Sequence, residues 1–191
     1  MKIVCDGEFK MVMPIGPLMI EHRLIERMIA VMKTEIDRME NENTIELGFI
    51  DIAVDFIRKY ADRCHHGKEE DILFRELKKK DLETDHKRIM DELIEEHRWA
   101  RETTGKIVDA KNKIIADSTQ STEPIIELMK HLIEFYLTHI AKEDKMFFNP
   151  VMNYFSKREQ DALLKEEYEF DRNFIHVIYR EIITKLEEGS L

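Results

Sequence analysis

The part of the sequence that decides the fold is HGKEEDILF at residues 66–74. A histidine and a glutamate stand four residues apart in it, followed by an acidic residue and an apolar run. The same order returns in HIAKEDKMF at residues 139–147. Residues i and i+4 lie on one face of an α-helix, about one turn apart. Each copy therefore predicts a helix that offers one imidazole and one carboxylate to the same point, which is half of a transition-metal site.

A second motif, Glu-His-Arg, is also repeated, in LMIEHR at residues 18–23 and LIEEHR at residues 93–98. Its two histidines are 75 residues apart, and the histidines of the first motif are 73 residues apart. This similar spacing indicates two copies of one helix pair. The two pairs together would bring six candidate ligands to one centre: His22, His66, Glu70, His97, His139 and Glu143.

Two readings of these motifs compete. Histidine and glutamate at i, i+4 can simply form a solvated pair on an outer helix face, but the apolar neighbouring turns and the repetition favour a metal site. On the second helix a shift of register would pair His65 with Glu69, but the repeat with His139 and the apolar residues 72–74 favour His66 with Glu70. Three further residues near the motifs are left without an assigned role: Glu26, His131 and His176.

Length and composition indicate one all-helical domain. The 191 residues are enough for a sizeable core. A hydrophobic fraction of 43%, a charged fraction of 37% and only six glycines and four prolines suit long amphipathic helices. The net charge of -10 argues against nucleic acid or an anionic membrane as a partner. There is no apolar run of about 20 residues that could span a membrane. The sequence does not indicate an oligomeric state.

The first residues lack the apolar core of a secretory signal. Two cysteines, Cys5 and Cys64, are too few for a disulfide framework. We therefore expect a cytoplasmic protein.

Apolar periodicity predicts four long helices, at about residues 17–39, 45–79, 86–116 and 123–149. Ser156 and Glu159 form a capping-box pattern that predicts a fifth helix. The predicted fold is an all-α, antiparallel four-helix bundle with an additional C-terminal helix. We divide the chain into an N-terminal extension (1–16), the bundle (17–152) and a C-terminal helix packed on it (153–191).

The six candidate ligands are too many for one tetrahedral zinc ion. They fit two ions, each with two imidazoles, bridged by Glu70 and Glu143. Imidazole and carboxylate ligands suit iron, manganese or zinc. Without a metal, two facing buried carboxylates would repel each other, so we expect metal binding to stabilise the fold and to release protons.

With these motifs in place, the chain resembles the hemerythrin family, in its HHE cation-binding branch, over about residues 17–150. The resemblance implies a four-helix bundle around a non-haem di-iron centre with an oxo or hydroxo bridge, held by the six residues named above. Dioxygen-carrying members have His-x-x-x-His on the third helix, whereas Leu93 and Arg101 stand four residues from His97 here. That departure removes one nitrogen donor and predicts a poor reversible oxygen carrier.

Two functions follow from the resemblance. The first is a di-iron protein that binds or senses a small diatomic ligand or peroxide (dioxygen, nitric oxide or peroxide), or that handles iron. The alternative is an oxidoreductase that acts on the same molecules with an external electron-transfer partner, because we find no flavin- or rubredoxin-like element in the sequence. The sequence does not decide whether the protein is an enzyme.

Overall fold

The structure, a computed structural model, describes residues 13–172 and 175–189. Residues 1–12 of the predicted N-terminal extension lie outside the described residues. The described part is helical and contains no strand, which confirms the predicted all-α class. It comprises α1 (Ile15–Glu42), α2 (47–77), α3 (Thr84–Ala116), α4 (123–154), α5 (Lys157–Phe170) and α6 (Ile175–Glu187).

Two of these helices change their winding along their length. Helix α2 is α-helical at Leu47–Phe56 and Arg75–Leu77, with π-helical segments at Ile57–His66 and Glu69–Phe74. Helix α4 is α-helical over Glu123–Lys142, π-helical over Glu143–Phe147, and closes through Phe148–Val151 and a 3₁₀ turn at Met152–Tyr154. Both π-helical regions coincide with the repeated His-x-x-x-Glu stretches.

Local sequence explains where the helices begin and end. Asn43 ends α1 in the left-handed conformation with φ of 50°, which asparagine tolerates better than most residues. Pro124 lies in the first turn of α4, where its missing N–H is not needed. The capping box predicted at Ser156 and Glu159 is confirmed, because the Ser156 side chain accepts from the Glu159 N–H and the Glu159 carboxylate accepts from the Ser156 N–H.

The first four helices form an antiparallel bundle. Near one end of α1, Lys130 at the start of α4 contacts Glu40, while Asp144 near the end of α4 contacts His22 near the start of α1. Helices α3 and α4 also run in opposite directions, since Trp99 packs on Phe135 and Lys142 pairs with residues earlier on α3. The bundle therefore has the up-down order expected from short connections.

Two hydrophobic clusters fill the bundle, and a polar layer separates them. The larger cluster includes Met28, Phe56 and Leu132. The smaller one includes Leu18, Phe74 and Phe147. All the candidate ligands except Glu70 are buried in this layer, where they are shielded from water.

The C-terminal segment, predicted as one helix, consists of two helices separated by a turn at Asp171 and Arg172. Leu163 of α5 packs into the smaller cluster. Tyr179 and Ile183 of α6 pack into the larger cluster, and the Tyr179 hydroxyl donates to the side chain of Asp55 at 2.5 Å. Both helices therefore cover the bundle on the side of α2.

A search of the described helices for a membrane span found none with the length and apolar character that crossing a bilayer requires.

Candidate metal centre

Two groups of buried side chains could each hold a metal ion. Position A is formed by His66, Glu69, His97 and His139, and position B by His22, His65, Glu69 and Glu143. Within each group, one ligand atom from every residue lies within 4.8 Å of the others. All four bundle helices contribute, which places the two positions at the centre of the bundle.

Two glutamates join the two positions. In Glu69, Oε1 lies 3.5 Å from Nε2 of His65, and Oε2 lies 3.3 Å from Nε2 of His97. In Glu143, Oε2 lies 3.1 Å from Nε2 of His22, and Oε1 lies 3.3 Å from Nε2 of His139. Each carboxylate therefore turns one oxygen towards position A and the other towards position B.

The residues present fit metal ions on geometric grounds. Ligand atoms about 2.1 Å from one ion are separated by roughly 3 Å when adjacent and roughly 4.2 Å when opposite. The nitrogen–oxygen distances in the centre run from 3.1 to 3.9 Å. The imidazoles and carboxylates are therefore already spaced as ligands of shared ions would be.

Unsatisfied polar atoms give a second, independent test of fit. Nε2 of all five histidines, Nδ1 of His66 and all four oxygens of Glu69 and Glu143 are buried and form no hydrogen bond of acceptable geometry with the described residues. Buried polar groups are normally paired, and leaving them unpaired costs free energy. Nine of these ten atoms, all except Nδ1 of His66, which faces Asp62, converge on the centre. They indicate a site that is completed by something other than protein, and cations match their lone pairs.

The π-helical segments explain how two adjacent histidines reach the centre. Successive residues of an α-helix point about 100° apart, whereas a π-helix has more residues per turn and a smaller step. His65 and His66 end the first π segment of α2, and both are buried, in positions B and A respectively. Glu69 begins the second segment and faces the same side. Such π turns are frequent at functional sites.

The structure differs from the sequence-based prediction at Glu70. The other five predicted ligands converge, but the Glu70 side chain is 27% exposed and accepts hydrogen bonds from Nδ1 of His97 at 2.8 Å and from Arg101 at 2.6 Å. Glu69 occupies the place predicted for Glu70, because the two copies of the motif correspond at a separation of 74 residues and not 73. His65 joins the centre as well, together with Glu69, which is the pair that the sequence analysis considered but did not favour.

The correct register of the repeat pairs residues 74 positions apart. His65 then matches His139, Lys68 matches Lys142, Glu69 matches Glu143, Glu70 matches Asp144 and Phe74 matches Phe148. The two phenylalanines stack on equivalent histidines, Phe148 on His22 and Phe74 on His97. A lysine directly before the glutamate was thus the sequence signal for Glu69. No such signal marked His66, whose counterpart is Ile140.

Four of the five imidazoles donate their Nδ1 hydrogen to a carboxylate. The acceptor lies 2.7 to 2.9 Å away in each case, and the pairs are His22–Asp144, His65–Glu21, His97–Glu70 and His139–Glu96. A bond of this kind fixes the tautomer, so that Nε2 presents its lone pair to the centre. His66 differs, because its Nδ1 lies 3.6 Å from Asp62 and forms no hydrogen bond with the described residues.

Each of these four carboxylates also forms an ion pair with a lysine or arginine side chain. The pairs are Asp144–Arg23, Glu21–Lys68, Glu70–Arg101 and Glu96–Lys142. The repeated Glu-His-Arg motif therefore has a second use, since Glu21 and Glu96 each support a histidine on the neighbouring helix rather than their own neighbour in sequence. This outer layer holds the imidazoles in position before any metal binds.

Charges in the metal-free centre show what a metal ion would replace. Burial alone lowers the pKa of His22, but hydrogen bonds with Asp144 and Glu143 outweigh burial and raise it to about 10. Burial raises the pKa of Glu70, and its bonds with His97 and Arg101 outweigh that effect and lower it to about 2. Protons on His22 thus compensate the buried carboxylates, and a bound cation would displace them.

The three residues without an assigned role lie outside positions A and B. Glu26 pairs with Arg23 at 3.1 Å, and His131 is exposed. His176 accepts or donates a hydrogen bond with Tyr60 at 2.8 Å and lies beside Asp171. Together with Glu21 and Cys64, His176 and Asp171 form a further cluster of ligand-type side chains, but the buried ammonium of Lys68 already bonds to Glu21 and Asp171 there.

The structure removes the reason for expecting a poor oxygen carrier. That expectation rested on the missing second histidine of α3, which would leave four imidazoles in the centre. The structure adds a fifth imidazole, that of His65, so that α2 supplies two imidazoles, and the ring of His66 stacks on that of His97 with centroids 3.8 Å apart. The nitrogen donor that is absent from α3 is therefore supplied by another helix.

Comparisons with known proteins give a family match and distant relatives. The family model of the hemerythrin HHE cation binding domain matches residues 13–174. Uncharacterized proteins Mb2018 of Mycobacterium bovis and Rv1995 of Mycobacterium tuberculosis are each 22% identical over 172 residues, which is 90% of this chain and 66% of theirs. The chain thus spans slightly less than two thirds of the length of these relatives. No solved structure gives a significant match. With a family match over most of its length, the chain belongs to the hemerythrin HHE cation-binding domain family.

Proposed function

We propose that this chain is a non-haem di-iron protein that binds or senses a small ligand such as peroxide, dioxygen or nitric oxide. The observation that carries the proposal is the set of nine buried ligand atoms, five imidazole nitrogens and four carboxylate oxygens, that form no hydrogen bond and are divided between positions A and B. The proposed ligands are His22, His65, His66, Glu69, His97, His139 and Glu143. This set replaces Glu70 with Glu69 and adds His65.

The donor set supports iron as the metal. The centre offers imidazole nitrogens and carboxylate oxygens but no thiolate, a combination that suits iron and manganese as well as zinc. The nine donor atoms of the proposed ligands are more than the roughly eight that two tetrahedral zinc ions use. The hemerythrin relationship, which the family match supports, favours iron among these metals.

The number of metal-ligand atoms leaves room for a small ligand at the ions. Five imidazole nitrogens and four carboxylate oxygens give nine donor atoms, fewer than the roughly twelve that two six-coordinate ions require. Iron ions at positions A and B would offer an open coordination position. They would also be able to exchange electrons with a small molecule that contains oxygen or nitrogen. The protein side chains would hold and orient the ions, and the two hydrophobic clusters would exclude bulk water.

A second candidate, an oxidoreductase with an external electron donor, is favoured by one observation. Trp99 is 38% exposed and its ring lies 4.9 Å from that of Phe135, which stacks on His139 at 5.0 Å. These rings form a continuous aromatic contact from the protein surface to a proposed ligand of position A. An electron-transfer partner that docks at Trp99 would reach the centre by this route.

Metal analysis of anaerobically purified protein, followed by titration with hydrogen peroxide, dioxygen and nitric oxide, tests the proposal. We expect two iron ions per chain and a change of the iron absorption spectrum with one of the three ligands. Iron without any response to the ligands would favour iron handling. Turnover with a supplied reductant would favour the oxidoreductase. Protein that binds no transition metal would contradict the proposal.

A further inference from the structure

A small cavity of about 90 Å³ lies between α2, α3 and α4, beside position A. Its lining includes one residue from each helix that stands one helical turn from a proposed ligand: Asp62, Arg101 and Tyr136. Residues three or four apart share a helix face. The cavity therefore lies about one helical turn from proposed ligands on all three helices. Its volume is far below the roughly 300–1,000 Å³ of pockets for organic ligands.

The hydroxyl of Tyr136 is the feature that points to a ligand. The residue is 1% exposed, and its hydroxyl forms no hydrogen bond with the described residues. Burial raises the pKa of this hydroxyl, and the carboxylate of Asp62 raises it further, so the group keeps its proton. A buried donor that lacks a protein acceptor requires a small molecule to accept its hydrogen bond.

The position of Tyr136 links the cavity to the centre. Its ring is nearly parallel to that of His66, with the centroids 6.2 Å apart. His66 is also the one proposed histidine ligand whose Nδ1 has no carboxylate acceptor, since Asp62 is 3.6 Å away and bonds to Arg101 instead. Two unsatisfied polar groups thus lie on the same side of position A.

The lining selects for a ligand that both donates and accepts hydrogen bonds. Tyr136 and the guanidinium of Arg101 are donors, while the carboxylate of Asp62 is an acceptor. Dioxygen and nitric oxide have no hydrogen to donate and accept hydrogen bonds poorly. Hydrogen peroxide has two hydrogens, two acceptor oxygens and a size that the cavity accommodates.

We propose that this cavity, here called the Tyr136 cavity, is a subsite that holds hydrogen peroxide beside position A, with the Tyr136 hydroxyl as the donor that orients it. The subsite rests on the proposed function, because a peroxide held there is of use only if metal ions occupy the centre. In this role Tyr136 is a positioning residue and not a metal ligand.

A binding experiment tests the subsite without any redox reaction. Protein loaded with zinc and labelled with ¹³C at the tyrosine Cζ atoms is titrated with hydrogen peroxide and followed by NMR. The Tyr136 resonance is identified by its absence from the spectrum of Tyr136→Phe. We expect its chemical shift to change saturably with peroxide concentration. The chemical shift of Tyr60, whose hydroxyl bonds to His176, should stay constant. A zinc-loaded protein in which the Tyr136 resonance does not respond would show that the cavity holds only water, and would overturn the proposal.

A kinetic experiment tests the selection of the ligand. Iron(II)-loaded protein is mixed with hydrogen peroxide or with dioxygen in a stopped-flow apparatus. In the peroxide reaction the O–O bond breaks, and hydrogen peroxide takes up two electrons and two protons to give two water molecules, while two iron(II) ions become iron(III). Loss of one hydrogen bond to the ligand in Tyr136→Phe should lower the second-order rate constant with peroxide by about fivefold to tenfold.

The controls separate this proposal from the proposed function. Tyr136→Phe and Tyr60→Phe should both retain two iron ions and the wild-type rate with dioxygen, and Tyr60→Phe should also retain the peroxide rate. Ala100→Val, which adds two methyl groups to the cavity lining at a residue that is not a proposed ligand, should slow the peroxide reaction. An unchanged peroxide rate in Tyr136→Phe, or an equal loss with dioxygen, would overturn the subsite while leaving the di-iron centre intact. Wild-type protein without metal would instead contradict the proposed function.

Discussion

Glu70 accepts a hydrogen bond from Nδ1 of His97 at 2.8 Å. It therefore orients a candidate ligand and is not itself one of the candidate ligands. Its neighbour Glu69 turns inward and faces both positions A and B. Two adjacent acids thus have different tasks, one to bind metal and one to orient an imidazole. The difference can be measured, because a bridging ligand and an orienting acceptor affect metal binding in different ways.

Glu69→Gln should lower the content of both metal ions, because the replacement removes a charge and weakens a donor that faces both positions. Glu70→Gln should retain two ions at saturating metal, with an affinity about tenfold to hundredfold lower, as is typical for groups that orient a ligand. Metal analysis after equilibrium dialysis at several metal concentrations measures both quantities. If Glu70→Gln empties the centre while Glu69→Gln remains full, the register proposed for α2 is wrong.

His66→Ala should reduce occupancy mainly at position A, and His22→Ala mainly at position B, because each histidine belongs to one position only. His131→Ala serves as the control, since His131 is an exposed histidine of α4 and should leave the content of both ions unchanged. Metal content per chain, together with the spectrum of cobalt(II)-loaded protein, distinguishes the two positions. An unaffected His66→Ala variant would remove His66 from the ligand set.

Glu96→Gln should weaken metal binding by about tenfold to hundredfold, because Glu96 accepts the Nδ1 hydrogen of His139 and pairs with Lys142. Its neighbour Glu95 is exposed and pairs with Arg98, so Glu95→Gln is a matched control. Competition with a chromophoric chelator gives both affinities. Equal affinities for the two variants would show that the outer carboxylates do not contribute to the site.

Metal binding should release protons at neutral pH and become stronger as pH rises. The pKa of His22, about 10 in the metal-free structure, lies above its ordinary value of 6.5, so a metal ion must displace a proton there. In the metal-free protein, the same raised pKa contributes stability below about pH 6.5 that is lost as pH rises towards 10. The pH of a weakly buffered protein solution should therefore fall when zinc is added. A rise in pH, or no change, would contradict this expectation.

Metal should also stabilise the fold. Free metal at 100 to 1,000 times the dissociation constant adds about 2.7 to 4.1 kcal/mol for each ion bound, and each such contribution corresponds, for a chain of this length, to a rise in Tm of roughly 5 to 15 °C. Thermal unfolding of metal-free and loaded protein, followed by circular dichroism, measures the shift. The double variant Glu69→Gln/Glu143→Gln should show almost no shift, because both bridging carboxylates are replaced.

The fold and most of the centre could be predicted because their signals are periodic. Apolar spacing predicted four long helices, and repetition of His and Glu predicted which faces meet. The register on α2 could not be predicted from α-helical spacing, since π-helical turns bring His65, His66 and Glu69 to one side. The turn that divides the C-terminal segment at Asp171 and Arg172 was missed as well, because no glycine or proline marks it.

An anomalous diffraction map at the iron edge, from crystals of anaerobically loaded protein, tests the two-ion centre most directly. We predict two iron peaks in each chain, one among the position A ligands and one among those of position B, with Glu69 and Glu143 in contact with both. A single peak, no peak, or a peak bound by Glu70 in place of Glu69 would contradict a di-iron centre built from these seven residues.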